Sequence, residues 1–224
     1  SFQEFPNHYS SWWGIDILPE VNENSESYQE YIFGENGVLK TWLKSGIGGY
    51  RLDVADELPD FFLKKLRKSV KEFDENAIII GEVWEDASNK KAYEKRRQYF
   101  TNAELDSVMN YPFRTAILNF MRGRDSGRAL QDTVMSIVEN YPPEVVAANM
   151  NLLGTHDTPR ILTALVDDFN GSREEAAQRR LSGEQRKVAE EKLMIASFLQ
   201  YMLPGSPSLY YADETGMEGH KDPF

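Results

Sequence analysis

The sequence predicts an α/β fold of parallel strands joined by helices, and three observations carry that prediction. Strand-like and helix-like segments alternate, the stretches between strands are long enough for a helix, and no glycine-rich phosphate loop follows any strand. The first two imply parallel strands with right-handed crossovers, which an open doubly wound sheet and a closed β/α barrel would both satisfy. The third favours the barrel. So do the polar residues at the C-terminal ends of at least three strands, because barrel active sites are built at that face.

Taken in order, residues 47–55 (IGGYRLDVA) read as a strand entered through glycines. Pro59 then opens a helix with Phe62, Leu66, Val70 and Phe73 at helical spacing on one face. The β-branched run 77–83 (AIIIGEV) suits a strand buried on both faces. A weaker strand at 107–111 precedes Pro112, which stands at a plausible first helical position, with Ile117, Phe120 and Met121 as that helix's apolar face. A further helix is expected over 126–140, and a strand over 149–155 (NMNLLGT). The next helix runs from about 184 to 202, carries Val188, Ile195, Leu199 and Met202, and stops at Pro204-Gly205. Residues 208–211 (SLYY) form the last strand. Long polar loops at 84–104 and 161–182 are expected to shape a cleft.

Bulk composition narrows the classes of function. The 224 residues suit one domain with a sizeable core, or a large piece of a bigger domain, and 41% apolar content supports a packed interior. A net charge of -11 disfavours nucleic acid, which needs a basic face, and an anionic membrane surface. No run approaches the roughly 18 apolar residues of a membrane span. Cysteine is absent, so there are no disulfides or thiolate metal sites. The opening residues 1–5 do not read as a natural start. The compartment therefore stays open, with the cytoplasm as the default expectation.

Three segments carry the chemistry. In GYRLDVA, Asp53 lies two residues after Arg51, so the two share a strand face. An opposite charge beside a carboxylate favours the ionised form that a nucleophile requires; the alternative is a buried Arg–Asp pair tying strands together. In GEVW, Glu82 ends an apolar strand. A Glu near apolar surface tends to hold its proton, as a general acid must. Gly81 permits close approach, and Trp84 offers a flat face to a sugar ring; the alternative is a Glu capping the next helix. In GTHDTPR, His156 can bond a sugar hydroxyl, while Asp157 can bind neighbouring hydroxyls or stabilise positive charge; the alternative is an Asp capping the turn at Thr158-Pro159. Together the three suit retaining glycoside hydrolysis, in which one carboxylate attacks and another moves the proton across a gap of roughly 5–5.5 Å. Neighbouring strands about 4.8 Å apart would set Asp53 and Glu82 at that range. The histidines His8, His156 and His220 are far apart in sequence and form no His-x-x-x-His pair. Asp53, Asp56 and Glu57 lie along a strand rather than on a calcium-binding turn. No Gly-x-Ser-x-Gly elbow is present.

At these residues the chain resembles the alpha-amylase superfamily of retaining glycoside hydrolases. GGYRLDVAD looks like that family's nucleophile strand, GEVW its acid/base strand and GTHD its third-carboxylate segment, in matching order. Leu18-Pro19-Glu20-Val21-Asn22, MNYPFRTAILNF and NLLGTHDTPRILTAL are similar to the neopullulanase and cyclomaltodextrinase subgroup, and 210–217 (YYADETGM) to the eighth-strand segment. The resemblance implies a partial (β/α)8 barrel, strands four to eight with their helices. Residues 1–224 would be the C-terminal section of the catalytic domain, without the first barrel strands and the C-terminal β domain. It implies hydrolysis of α-glucosidic bonds in starch-derived oligosaccharides or polysaccharides, with Asp53 as nucleophile, Glu82 as acid/base and Asp157 as transition-state stabiliser. Arg51 and His156 would hold the sugar, Arg160, Trp84 and Tyr111 would make further substrate contacts, and Asp56 and Glu57 would line the cleft. No cofactor is required, though the complete enzyme could hold structural calcium. The family's first motif, an Asp followed by Asn-His, is missing, and Asn7-His8 does not match it. An incomplete site with weak or no activity is the expectation, and the open barrel edges would favour pairing with a second copy. A transglycosylase or glucan isomerase using the same intermediate is the alternative within the family. A non-catalytic carbohydrate-binding or scaffold relative is the alternative outside enzymes.

Overall fold

The computed structural model describes residues 9–221, so the expectations on residues 1–5 and on Asn7-His8 lie outside it. Two short helices, α1 (Glu26–Phe33) and α2 (Val38–Lys44), come first and had no counterpart in the sequence reading. Strand β1 (Gly49–Leu52), helix α3 (Asp60–Phe73) and strand β2 (Ile78–Gly81) follow. The stretch expected to be a loop contains the hairpin β3 (Lys91–Ala92) and β4 (Lys95–Arg96). Then come β5 (Ser107–Val108), α4 (Tyr111–Met121), α5 (Gly127–Asn140), α6 (Pro143–Ala148) and β6 (Met150–Leu152). The chain continues through α7 (Ile161–Ala164), α8 (Arg173–Gln178), α9 (Gly183–Met202) and β7 (Ser206–Ser208).

Five of these strands run parallel in chain order. β1 pairs with β2 from Gly49–Ile78 to Leu52–Gly81, and β2 pairs with β5 at Ile80–Ser107 and Gly81–Val108. A parallel bridge between Met109 and Met150 joins β5 to β6, and β6 pairs with β7 from Met150–Ser206 to Leu152–Ser208. The connections from β1 to β2, β5 to β6 and β6 to β7 each carry at least one helix, whereas between β2 and β5 the hairpin β3–β4 and its flanking loops take the place of the expected helix. This is the strand order of a (β/α)8 barrel over part of its circumference. Among the described residues, β1 and β7 each have a neighbour on one side only.

The strands are shorter than the apolar runs suggested. β1 stops at Leu52 rather than reaching 55, because Val54 adopts a left-handed conformation (φ 45°, ψ 54°) and the backbone then enters a 3-10 turn at Ala55–Glu57. β2 is buried on alternate residues rather than throughout, with Ile79 against the helices and Ile80 against Met109 and Leu152. The last strand lies at Ser206–Ser208, two residues before the expected stretch, and leaves Tyr210 and Tyr211 beyond its end. Pro207, which has no N–H to donate, is tolerated there because β7 is an edge strand.

Helix α3 follows its sequence pattern. Phe62, Leu63, Leu66 and Val70 are buried, each contributing roughly 1.5–3 kcal/mol, while Phe73 at the last turn is exposed. Asp106 straps this helix to the sheet. Its carboxylate accepts from Arg67 and from Lys71 (2.9 Å) on α3 and from the Ile79 N–H (2.9 Å) on β2. Burial works against its charge, but these donors outweigh it and hold Asp106 below the usual carboxylate range. Asn110 caps α4, accepting from the Phe113 N–H, with Pro112 in the first turn. Of the apolar face expected there, Ile117 is buried and Phe120 is exposed.

Helix α9 departs from expectation. Val188, Ile195 and Met202, read as its core face, are exposed, and the buried positions are Ala189, Ala196 and Gln200. Small residues let α9 come close to its neighbours, and the buried Gln200 Nε2 donates to Asn151 O (2.9 Å) and Ser208 O (2.8 Å). Those bonds to β6 and β7 set the rotation of the helix.

Candidate active site

The sheet brings Asp53 and Glu82 together because β1 and β2 are in register and both chains turn just past their last paired residues, Leu52 and Gly81. Glu82 N donates to Leu52 O (2.9 Å) and Ala55 N to Glu82 O (3.2 Å), so backbone bonds lock the two ends to each other. Gly81 is needed at this point, since a Cβ there would press on Leu105 Cδ1 at 2.5 Å. Arg51 lies between the two carboxylates. Its Nη1 donates to Asp53 Oδ1 (2.5 Å), and its Nη2 lies 3.1 Å from Glu82 Oε2, a charge contact that is not aligned as a hydrogen bond.

Glu82 does not have the apolar surroundings that its sequence context suggested. Its side chain is only 6% exposed, yet besides Arg51 it meets two aligned donors: the Val54 N–H bonds Oε2 at 2.8 Å and the Trp84 indole N–H bonds Oε1 at 3.1 Å. The left-handed Val54 is what aims its N–H at Glu82. A β-branched residue in that region is a costly conformation, of a kind that clusters at functional sites. Asp53, by contrast, is two-thirds exposed.

His156 and Asp157 come from the loop after β6 and line the same cleft as Asp53 and Glu82, a space of about 580 Å³. His156 Nε2 sits 3.1 Å from Asp157 Oδ2, and the imidazole is open to solvent. The turn around them is held by threonines: Thr155 N donates to Thr158 Oγ1 (3.1 Å) and Asp157 N to Thr155 Oγ1 (3.2 Å). Trp84 lines the cleft with one face only. The other stacks on Tyr111 at 4.1 Å and 9°.

Two expected substrate contacts are corrected. Tyr111 is buried beneath Trp84, and burial is the main cause that raises its hydroxyl pKa. Its ring supports the indole rather than meeting the cleft. Arg160 is also buried, and its Nη1 donates to Tyr211 O (2.5 Å) and lies 3.5 Å from Asp213 Oδ1. The guanidinium packs over Tyr210 (4.5 Å) and Tyr211 (4.2 Å), so its bonding capacity is directed away from the cleft. Burial pushes Asp213 up to about 6, with the Arg160 charge only partly opposing it.

The structure adds residues that the sequence reading did not assign. Trp13, in a left-handed backbone conformation after Trp12, lines the cleft and donates its indole N–H to Glu57 Oε1 (3.0 Å). Glu57 also accepts from the Tyr93 hydroxyl on the hairpin β3–β4. Lys90 reaches Asp56 Oδ2 (2.8 Å) and Glu85 Oε2 (2.5 Å). Burial would lower its pKa, but the two carboxylates more than offset that and raise it. The paired tryptophans before a glycine were the one sequence signal for this wall; nothing marked Lys90. Among the described residues, no group of three His, Asp or Glu side chains is placed to hold a metal ion.

Comparison with known proteins agrees with this geometry. The family model for the alpha-amylase catalytic domain matches residues 2–223. An amylopullulanase of Thermoanaerobacter thermohydrosulfuricus is 35% identical over 239 residues, covering 96% of this chain and 15% of that protein. A cyclomaltodextrinase of Geobacillus thermopakistaniensis is 33% identical over 220 residues, covering 97% of this chain and 32% of that protein. The solved type III pullulan hydrolase of Thermococcus kodakarensis superposes with a TM-score of 0.77 at 31% identity, over 95% of this chain and 34% of that one. The chain thus spans about a third or less of the length of these relatives. With the matched family model, the parallel strand order and the three carboxylates at one cleft, the chain belongs to the alpha-amylase family, as part of its catalytic domain.

Proposed function

We propose that the protein hydrolyses α-glucosidic bonds of starch-derived glucans with retention of anomeric configuration. The observation that carries this reading is the single guanidinium of Arg51 touching both Asp53 and Glu82 at adjacent strand ends, in a cleft that Asp157 also lines. Asp53, open to the cleft, attacks the anomeric carbon. Glu82 gives its proton to the departing glycosidic oxygen, then takes one from the water that releases the glycosyl-enzyme. Asp157 faces the positive charge that develops on the sugar ring. Arg51 orients both reacting carboxylates, His156 bonds a sugar hydroxyl, and the free face of Trp84 stacks on the ring. The reaction draws on side chains alone. The relatives named amylopullulanase, cyclomaltodextrinase and pullulan hydrolase support α-glucans as the substrate class.

Proton NMR of maltotriose and pullulan incubated with the protein tests this. The expected result is early appearance of the α-anomer of the product, formed only weakly in the absence of the family's first motif and lost in Asp53→Asn. Early β-anomer would overturn the retaining assignment, and cleavage that survives Asp53→Asn would overturn the nucleophile. Transfer products in place of free reducing sugar would assign the protein to the transglycosylases instead.

A further inference from the structure

Asp213 is a buried carboxylate that the proposed reaction does not use, and its position is unusual. It follows β7 in a 3-10 turn (Asp213–Thr215), entered through a left-handed Ala212, and it packs behind the loop that carries His156 and Asp157. It meets that loop at both ends. At one end, a Cβ on Gly154 would collide with Asp213 Oδ2, so the loop lies directly on the carboxylate with only a glycine between. At the other, Arg160 Nη1 lies 3.5 Å from Oδ1. The ends are gripped from further sides as well. Arg114 Nε donates to Leu153 O (2.7 Å), and Arg160 N donates to Gly219 O (3.0 Å).

We propose that Asp213 is a positioning residue: its carboxylate, seated between Gly154 and Arg160, holds both ends of the loop that presents His156 and Asp157 to the cleft. The inference rests on the reading of Asp157 as part of the reacting set. The charged and titratable groups facing Asp213 are Arg160 and Arg114, which favour its ionised form, Glu214, which opposes it, and the ring of Tyr210 beside Arg160. Burial outweighs them, so the closed loop favours the protonated acid. Opening the loop to water lets the group ionise more readily, and closure weakens as pH rises through about 6.

Amide hydrogen exchange reads this without reference to activity. In Asp213→Ala, residues 154–160 are expected to lose about tenfold or more of their protection, while 49–52 and 78–81 keep theirs. Asp213→Asn, which preserves shape and bonding, is expected to retain the protection and to remove its decline between pH 5 and 7.5. Gly154→Ala should also open the loop, because its Cβ meets Asp213 Oδ2, but added to Asp213→Ala it should cost no further protection, since the colliding oxygen is gone. Unchanged protection of 154–160 in Asp213→Ala overturns the proposal. So does an equal loss over 49–52 and 78–81, which would mean a general contribution to stability, or a further loss when Gly154→Ala is added to Asp213→Ala. The reading of Asp157 fails separately, if Asp157→Asn leaves pullulan cleavage intact.

Discussion

The two ends of the parallel sheet solve the same problem differently. At the β1–β2 end, the carboxylates follow directly from paired strands, and four residues of register, two backbone bonds and the guanidinium of Arg51 place them. At the β6–β7 end, Asp157 sits five residues past its strand, on a loop positioned by threonines and by the buried Asp213–Arg160 pair behind it. The helices differ in parallel. Of its 14 residues α3 buries four large apolar side chains, whereas α9, with 20, buries two alanines and a glutamine and leaves Met194, Phe198, Tyr201 and Met202 exposed. The lesson is that a site carried on strands inherits its precision from the sheet. A site carried on a loop needs polar contacts of its own, and those respond to pH.

The sharpest way to break the comparison is chemical. Glu82→Gln keeps the donors around the side chain but removes the transferable proton, and should lower pullulan turnover by about 10²–10⁴-fold, followed as reducing-sugar release. A smaller loss would mean that Glu82 only ties Arg51 and Val54 together. Next in size is packing. Leu63→Ala in the fully buried face of α3 should cost about 2–5 kcal/mol in urea unfolding, since it leaves a cavity beside the β1–β2 end.

The pH response comes third. Asp213 is raised from 3.8 to about 6 in the folded state, so the native protein binds more protons than the unfolded chain between those values. Its contribution is present below about pH 4 and is lost as pH rises through about 6, a change of up to about 3 kcal/mol. The difference in stability between the protein and Asp213→Asn, measured by denaturation from pH 4 to 7.5, should follow that slope. A flat difference would sink the assignment. The smallest effect is expected on α9, where Phe198→Ser, at a side chain open to solvent, should change stability by less than about 0.5 kcal/mol. A loss comparable to Leu63→Ala would show that this face is packed in solution.

Much of the β1–β2 end was legible beforehand. The run entered through glycines, the helical spacing after Pro59 and the β-branched run placed β1, α3 and β2 in their correct order, and the residues just past Leu52 and Gly81 are those expected to react. Legibility declined where a side chain serves two masters. Arg160 and Tyr111 carry polar groups suited to a sugar, and only the packing of Tyr210, Tyr211 and Trp84 against them shows that they face inward. The face of α9 was misjudged because apolar spacing does not reveal that a buried Gln200 must reach two strand carbonyls.

By itself, then, the sequence determined most of the alternation of strands and helices and marked Asp53 and Glu82 just past neighbouring strands, with Asp157 on the turn that follows a later one. Local periodicity and residue chemistry are written into neighbouring positions. The tertiary structure alone decided that Glu82 lies among donors, that Val54 bends the backbone to supply one, that Trp13 and Lys90 complete a wall of the cleft, and that Asp213 backs the loop of Asp157. Each of these joins residues from different elements of the chain. Such contacts depend on how the packed sheet and helices bring distant segments together, and no local pattern encodes that.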